Sequence, residues 1–361
     1  MKICFIGPAN SSHIEKWSMW FTNHGHEVHV ISFTDGKISN VIVHLVDVGV
    51  DTKGSDVSKL KYLTTGRKIS KLVNQIKPDI VNVHYATSYG ATVAFSRLKG
   101  YVLSVWGSDI YSFPRKSIFH KFLLKYSLKR AKYLFSTSNA MAKEASKYTN
   151  KTFTITPFGV DMELFNPINR NREVSDDRFI VGTVKALVDI YGIEYLIRAV
   201  KKVTEKRSDI NIVARIAGDG KNSDDYLKLV KELEIENRVE FLGRITQKEA
   251  SLEWANMDVA IIPSIVNESF GVAAIEAEAS GIPVIVTNMG GLVESTCPGT
   301  SSIVVDSCDA EAIASAIISF YDDSELRSRM GIEGRKYVEK HYELNNCFNE
   351  IENEYKKIIY L

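Results

Sequence analysis

VAIIPSIVNESFGVAAIEAEAS, residues 259–280, is the stretch that decides the predicted fold. It begins with an apolar run of strand length at 259–264 and continues into a small-residue segment at 272–280 that is typical of a tightly packed helix. Two carboxylates, Glu268 and Glu276, lie on either side of this junction. A strand that leads directly into a helix is half of a βα unit, so the stretch predicts a parallel sheet covered by helices.

The start of the predicted helix is suited to an anion. Four residues bring main-chain amides to this point: Ser269, Phe270, Gly271 and Val272. Amides and the positive end of a helix dipole at the carboxyl edge of a sheet are a natural phosphate site. Glu276 lies one helical turn further on, where its two oxygens could accept both hydroxyls of a ribose, and Glu268 would face the group beyond the phosphates. The alternative is that Glu268 is a solvated loop acid and Glu276 a surface helix acid.

The same alternation of strand-like and helix-length segments runs along the whole chain. A first series of strands is predicted at 2–7, 27–32, 41–48, 79–85, 101–107, 133–138 and 152–157. A second is predicted at 179–184, 210–217, 239–242, 259–264, 283–288 and 301–305, followed by helices at 310–321, 325–337 and 344–359. The polar segment 166–177 separates the two series and is interpreted as a linker. This organisation predicts an α/β protein with two Rossmann-like domains, residues 1–170 and 171–340, and a terminal helical segment, 341–361.

Length and composition agree with this organisation. The chain has 361 residues and 45% hydrophobic content, which suits two soluble α/β domains. No apolar run reaches the roughly 18 residues of a membrane span, and the apolar segment 3–6 is too short for a signal peptide. We therefore expect a cytoplasmic protein, with the inner face of the cell membrane as an alternative location.

Charge is distributed unevenly. The net charge is +1, but residues 1–175 carry 24 Lys and Arg against 12 Asp and Glu, whereas residues 176–361 carry 21 against 32. The richest basic segment is 113–135, where Lys121, Lys125 and Lys129 follow helical spacing between aromatic and aliphatic residues. It is interpreted either as a helix that contacts an anionic membrane or as a solvated face over a buried apolar stripe. Nucleic acid is disfavoured as a partner, because the segment lacks recognised nucleic-acid motifs.

A family resemblance follows from the motif PSxxxESFGVxxxEAxAxGxPVIxTxxGG at residues 263–291. The motif closely resembles the C-terminal half of family-4-type retaining glycosyltransferases of GT-B architecture. Further matching segments are 25–28, 106–109, 157–161, 218–220 and 238–243. The resemblance implies two Rossmann-like domains that face each other across a cleft, with the terminal helix crossing back to the N-terminal domain. It also implies that Glu276 binds the nucleotide ribose and that Glu268 contacts the donor sugar.

The leaving diphosphate needs a positive partner. No D-x-D triplet or H-E-x-x-H motif occurs, so we expect neither a metal nor any other cofactor. The resembled family places an Arg and a Lys after the first strand of the second domain, but this chain has Thr183 and Tyr191 at those places. Lys185 is the cation that remains there, and it is assigned to the diphosphate; the alternative is a solvated loop lysine.

Other donor-side residues follow from the same resemblance. Arg244 and Ile245 match the loop that holds the base through main-chain contacts. A second amide-rich turn near the phosphates is predicted at Gly290, Gly291 and Leu292.

The acceptor side is predicted from loops at the carboxyl ends of strands in the first domain. Asp109 is the predicted contact for the acceptor hydroxyl. Trp106 stands where many members of the family have a histidine, which exchanges a hydrogen-bonding ring for a larger stacking surface. His84 is a possible substitute for that histidine or a structural residue, and His13 either reaches the cleft or begins the first helix.

These residues predict a metal-independent, retaining glycosyltransferase of the hexosyl-transferring kind. The expected donor is a UDP-sugar, and the expected acceptor is a hydroxyl of a glycan or lipid-linked glycan in surface polysaccharide synthesis. Two alternatives remain open: a catalytically idle GT-B partner subunit, which the reduced set of cations suggests, and a nucleotide-sugar epimerase. A nicotinamide enzyme is disfavoured because no G-x-G-x-x-G follows the first strand.

Overall fold

The computed structural model describes residues 1–48, 65–173 and 175–360. Its chain divides into two compact units, one formed by Met1–Pro157 with Phe348–Leu361 and the other by Phe158–Cys347. The sequence predicted divisions at 170 and 340, so residues 158–170 belong with the second unit here and the terminal segment joins the first from Phe348 onward. Val174, in the predicted linker, lies outside the described residues.

The first unit contains a seven-stranded sheet in the order β3-β2-β1-β4-β5-β6-β7. Its strands are β1 Lys2–Ile6, β2 Glu27–Ser32, β3 Ile42–Leu45, β4 Ile80–His84, β5 Val102–Val105, β6 Tyr133–Ser136 and β7 Thr154–Ile155. Its helices are α1 Ser12–Asn23, α2 Gly66–Ile76, α3 Ser88–Ala94, α4 Ser108–Tyr111, α5 Ile118–Arg130 and α6 Asn139–Ala145. Every described pairing of these strands is parallel, with Ile3 opposite both Val28 and Ile80.

The second unit contains a six-stranded parallel sheet in the order β10-β9-β8-β11-β12-β13. Its strands are β8 Phe179–Val184, β9 Ile212–Ala217, β10 Val239–Gly243, β11 Val259–Ile262, β12 Val284–Thr287 and β13 Ser302–Val305. Its helices are α7 Ile193–Lys206, α8 Ser223–Glu232, α9 Gln247–Asn256, α10 Val272–Ala279, α11 Gly291–Glu294, α12 Ala310–Asp322 and α13 Ser324–Tyr342. The last helix, α14, spans Leu344–Tyr360.

The strands are apolar because both faces of each sheet are covered. In β11 all residues are buried, and the central residues of β8, Ile180 and Val181, have no exposed surface. Continuous burial of this kind is typical of parallel sheets with helices on both sides. Each predicted strand range overlaps an observed strand, and only β10 extends beyond its predicted range, by one residue to Gly243, so the predicted α/β class with two Rossmann-like sheets is confirmed.

The strand order reverses once in each sheet. In the first sheet the reversal lies at the adjacent strands β1 and β4, and in the second sheet at β8 and β11. Ligands of doubly wound sheets bind outside the carboxyl ends of the strands at such a switch point. The loops that follow β1, β4, β8 and β11 are therefore the places to search for a site.

In the described parts of the chain, no helix is both long enough and apolar enough to cross a bilayer.

Candidate active site

An ion pair lies at the switch point of the second sheet. Lys185 follows β8 directly, and Glu268 lies in the loop between β11 and α10. The Lys185 Nζ is 2.8 Å from Glu268 Oε2, and the two side chains retain 14% and 10% exposure. Neither residue is a solvated loop side chain, so that alternative is wrong for both. The pair is nevertheless reachable from solvent, as a substrate contact must be.

Three neighbouring residues hold this pair in place. The Ser264 hydroxyl donates to Glu268 Oε1, and the Thr287 hydroxyl donates to the Ser264 carbonyl at 2.6 Å. The Tyr191 ring centroid is 4.4 Å from Lys185 Nζ, which is a cation–π distance. Tyr191, which stands where the resembled family has a lysine, therefore positions the ammonium group of Lys185.

The loops that follow β11 and β12 are joined by main-chain hydrogen bonds. The Glu268 amide donates to the Met289 carbonyl at 3.3 Å, and the Gly291 amide donates to the Glu268 carbonyl at 2.9 Å. Gly290 has a positive φ of 61°, which a glycine adopts without strain. These bonds bring the predicted turn at Gly290, Gly291 and Leu292 next to the carboxylate loop.

Helix α10 begins tightly after Gly271. This residue has φ 142°, and a Cβ atom at this position would lie 2.3 Å from Ser295 Oγ, so only glycine fits. Within the described residues, the main-chain amides of Gly271 and Val272 have no hydrogen-bond acceptor. Phe270 is 1% exposed and anchors the turn by packing edge-on against Tyr342 at 5.0 Å between ring centroids. With Ser269 before it, this turn presents the predicted anion site.

Glu276 is buried on α10. It is 6% exposed, and Trp254 Nε1 donates to its Oε2 at 3.4 Å. The alternative of a surface helix acid is therefore wrong. The indole restricts the orientation of this carboxylate, whose contact with ribose hydroxyls stays a prediction.

Arg244 and Ile245 lie at the same edge of the sheet but apart from the ion pair. They follow β10, which is an edge strand, and β9 separates it from β8. The Gly218 amide donates to the Gly243 carbonyl at 2.8 Å and so ties this loop to the turn after β9. The predicted contact of this loop with a base stays a prediction.

Asp109 has a different environment at the carboxyl edge of the first sheet. It is 1% exposed, and its oxygens accept main-chain bonds from Gly107 at 2.8 Å, Ala86 at 2.8 Å and Trp106 at 3.1 Å. Burial raises the pKa of this carboxyl, while the main-chain donors oppose the rise. These contacts favour a role in positioning the loops that follow β4 and β5 over direct contact with an acceptor.

Trp106 brings together the other predicted acceptor-side residues. Its ring centroid is 5.0 Å from that of His84 and 5.4 Å from that of His13. His84 has no exposed surface, and within the described residues neither of its ring nitrogens has a hydrogen-bond partner. Burial lowers the pKa of His84 to about 3, and burial with the charge of Lys16 lowers that of His13 to about 4. His84 is therefore a neutral packing residue here, in agreement with the structural alternative.

Sequence reasoning missed four residues that shape the second-sheet edge: Ser264, Thr287, Tyr191 and Trp254. Ser264 and Thr287 are part of the motif at 263–291, so their proximity to Glu268 was within reach of the sequence. Tyr191 follows Lys185 closely in the chain, but the sequence does not show that its ring lies over the ammonium group. Trp254 comes from a more distant segment that only the folded chain brings to Glu276.

Comparison with known proteins agrees with this architecture. Residues 165–337 match the family model described as glycosyl transferases group 1, and residues 2–138 match that described as glycosyl transferase 4-like. A D-inositol 3-phosphate glycosyltransferase of Corynebacterium glutamicum is 34% identical over 48% of this chain and 44% of its own length. The chain thus spans about half the length of this kind of curated relative. The capsular polysaccharide biosynthesis glycosyltransferase CapM of Staphylococcus aureus is 27% identical over 92% of this chain and 90% of its own length.

Solved structures show the same fold. The sucrose-phosphate synthase of Thermosynechococcus elongatus superposes with a TM-score of 0.84 at 17% identity, over 99% of each chain. Anabaena Alr3699/HepE in complex with UDP-glucose superposes with a TM-score of 0.79 at 18% identity, over 99% of this chain and 100% of that one. At these identities the likeness concerns the fold alone, and it confirms the predicted GT-B class.

Proposed function

We propose that this chain, whose residues 165–337 match the model of glycosyl transferases group 1 and residues 2–138 that of glycosyl transferase 4-like, transfers a sugar from a nucleotide-diphosphate donor to an acceptor hydroxyl with retention of configuration. The observation that carries the proposal is the Lys185–Glu268 pair at the switch point of the second sheet, 2.8 Å apart and only partly exposed. A cation for the diphosphate and a carboxylate for the sugar are then adjacent where doubly wound sheets bind nucleotides.

The chemistry rests on stabilising the leaving group. As the bond between the anomeric carbon and the diphosphate breaks, negative charge grows on the departing phosphate. Lys185 and the amides of Gly271 and Val272 would neutralise it without a metal, because an ammonium group has three donors and can contact Glu268 and a phosphate together. The acceptor oxygen attacks the same face of the sugar, and its proton passes to the departing phosphate.

The proposed donor is a UDP-sugar. Glu276 would accept the ribose hydroxyls, and the Trp254 indole bond at 3.4 Å supports this role by orienting the carboxylate. The complex of Anabaena Alr3699/HepE with UDP-glucose, a protein of the same fold, supports uridine as the base.

The donor is tested by thermal stabilisation with UDP-, GDP- and ADP-sugars, followed by an assay of turnover. A ligand of the native state at a hundred times its dissociation constant stabilises a protein by about 2.7 kcal/mol, so the preferred base should be evident. We expect UDP-sugars to stabilise most and to release UDP when an acceptor is supplied. Binding without turnover would identify the idle-subunit alternative, and an epimer formed without acceptor would identify the epimerase. Absence of binding to all three would refute the proposal.

The proposed acceptor is a hydroxyl of a glycan or lipid-linked glycan used for surface polysaccharide. The similarity to CapM, whose name assigns it to capsular polysaccharide biosynthesis, supports this class because it extends over 92% of the chain. Transfer onto a panel of lipid-linked mono- and disaccharides, with the free sugars as controls, would test it. Transfer to neither set would exclude this class of acceptor.

The helix α5 supports contact of the proposed enzyme with an anionic membrane. On the inner face of the helix, Leu124 and Leu128 are fully buried. By contrast, the side chains of Ile118, Phe119 and Phe122 are 86%, 46% and 57% exposed. The lysine stripe predicted from the sequence, Lys121, Lys125 and Lys129, is exposed on the same helix. A helix face that contacts only water needs no large apolar side chains. A face that enters the headgroup region of anionic lipids needs both apolar and basic side chains.

Membrane contact is tested by sedimentation with lipid vesicles. We expect the protein to bind vesicles rich in phosphatidylglycerol, to bind phosphatidylcholine vesicles weakly, and to be released by salt. The double substitution Phe119→Ser and Phe122→Ser should abolish this binding. Leu227→Ser, which alters a side chain of 45% exposure on α8, should leave it unchanged. Equal binding to both lipids, or equal loss in the control, would contradict the assignment.

A further inference from the structure

The second unit contains a cavity of about 420 Å³ away from the proposed donor site. Its lining includes Met257 and Asp258, which directly precede β11, and residues 281–283, which directly precede β12. The cavity therefore lies at the amino edge of the second sheet. Lys185 and Glu268 lie at the opposite, carboxyl edge, so the cavity is no part of the donor site.

The walls combine an apolar surface with basic side chains. Apolar surface comes from Pro167, Met257, Ile282, Pro283 and Ile332. Four basic residues line the same space, namely Arg170, Arg327, Arg335 and Lys336, against two acids, Asp258 and Glu339. The volume falls within the range of about 300–1,000 Å³ that is common for small-molecule sites.

Part of this positive charge is already balanced within the protein. Arg170 Nη2 is 3.1 Å from Asp258 Oδ1, and Arg172 Nη1 contacts the same carboxylate at 2.7 Å. Lys336 Nζ is 2.8 Å from Glu333 Oε1. These pairs would contribute to an anion site mainly through their long-range field.

Two guanidinium groups are not balanced in this way. Arg335 donates to main-chain carbonyls, including that of Phe165 at 3.1 Å, and Arg327 donates to the Phe320 carbonyl at 2.6 Å. Arg327 also lies over the Phe179 ring at 5.2 Å. Neither guanidinium takes part in an ion pair among the described residues, although the charge of Glu339, which also lines the cavity, acts on Arg335. Arg327 therefore leaves net positive charge beside the cavity, and Arg335 does so in part. Carbonyl bonds orient a guanidinium but do not neutralise it.

We propose that this cavity binds a small organic anion, with a phosphate or carboxylate group near Arg327 and Arg335 and its body on the surface of Ile282 and Pro283. A charge-assisted bond to guanidinium is the strongest kind available to such a group, and the apolar wall accommodates the part of the ligand that carries no charge. The site is independent of donor binding at the opposite edge of the sheet.

The test uses calorimetric titration of the full chain, with saturating UDP present throughout. The probes are inorganic phosphate, glucose 6-phosphate, citrate and, as the uncharged control, glucose. We expect at least one anionic probe to bind saturably, glucose not to bind, and the affinity to fall with rising salt. A separate titration with UDP alone measures binding at the proposed donor site. Loss of binding at the donor site and loss of binding at the cavity can therefore be told apart.

Two matched substitutions locate the binding. Lys336→Glu and Lys340→Glu make the same charge change on exposed residues of α13, but only Lys336 lines the cavity. We expect Lys336→Glu to raise the Kd of the anionic probe about tenfold and Lys340→Glu to change this Kd by less than about twofold. Ser328→Glu, which adds a carboxylate to the lining, should also weaken it. No saturable binding of an anionic probe in the presence of UDP, or equal effects of the two lysine substitutions, would overturn the proposal.

Discussion

The carboxyl edges of the two sheets differ in how their acidic residues are held. In the second unit, Glu268 is bound by other side chains, Lys185 at 2.8 Å and Ser264, and remains partly exposed. In the first unit, Asp109 is bound by main-chain amides and is 1% exposed. A carboxylate that is held by movable side chains can exchange them for a ligand, whereas one bound to the main chain fixes the loops around it. The two acids should therefore respond differently to substitution.

The largest expected effect is on turnover. Glu268→Gln keeps the volume and a possible bond to Ser264 but removes the charge opposite Lys185. We expect kcat for sugar transfer to fall by about 10²–10³-fold, because the variant loses an electrostatic contact at the reacting sugar. The Kd for UDP should stay within about threefold, as Glu268 is assigned to the sugar. Glu232→Gln on α8 is the control, and full activity of Glu268→Gln would remove the residue from the site.

The matching substitution in the first unit should act on stability. Asp109→Asn places an NH₂ group against main-chain amides that donate to the carboxylate, so buried donors lose their acceptor. We expect the free energy of unfolding in urea to fall by about 2–3 kcal/mol. UDP binding to the folded variant should be unaltered. A loss of transfer without loss of stability would instead support the predicted contact of Asp109 with the acceptor.

The pH dependence of the free energy of unfolding tests the burial of His84 at the edge of the first sheet. Since burial lowers the pKa of His84 to about 3 from the ordinary 6.5, the unfolded chain takes up a proton that the native state excludes. Stability should therefore decline as the pH falls from 6.5 toward 3, by about 2 kcal/mol at pH 5 from this group. His84→Phe removes the titration, so its decline between pH 7 and pH 5 should be smaller by that amount. Parallel curves for the two proteins would show that His84 titrates normally.

The smallest expected effect concerns Tyr191, which supports the second edge indirectly. Tyr191→Leu removes the ring 4.4 Å from Lys185 Nζ, and a cation–π contact contributes about 1 kcal/mol. We expect the KM for the donor to rise about fivefold with kcat little changed. Tyr191→Phe, which keeps the ring, should behave as the original protein. If both substitutions act alike, the hydroxyl rather than the ring matters.

Local patterns predicted most of the fold because its determinants are close together in the chain. Strand β8 was predicted with the bounds Phe179–Val184 that the structure shows. The segment 41–48 was predicted too long, because only Ile42–Leu45 pairs with β2 in the described structure. The apolar pattern of this segment continues beyond the residues that pair with β2, whereas for the edge strand β10 the predicted range 239–242 ends one residue before the observed end at Gly243.

The sequence indicated where the predicted site residues lie more readily than how they are held. The motif that contains both Glu268 and Glu276 spans adjacent loops, so their position at one sheet edge followed from the order of a strand and a helix. Asp109 follows its strand in the same way, but its burial depends on amides from the loop after β4, to which Ala86 belongs. No local pattern encodes which side chain those amides will bind.

The amino-acid sequence by itself determined two parallel α/β sheets and the acidic pair around a glycine that begins α10. These features arise from hydrophobic periodicity and from turns that only glycine permits, both of which are local properties. Only the tertiary structure decided that Trp254 bonds to Glu276, that Asp109 and His84 are buried, and that basic side chains line a cavity at the amino edge. Burial, charge pairing and cavities depend on segments far apart in the chain, and these meet only when the sheets are assembled.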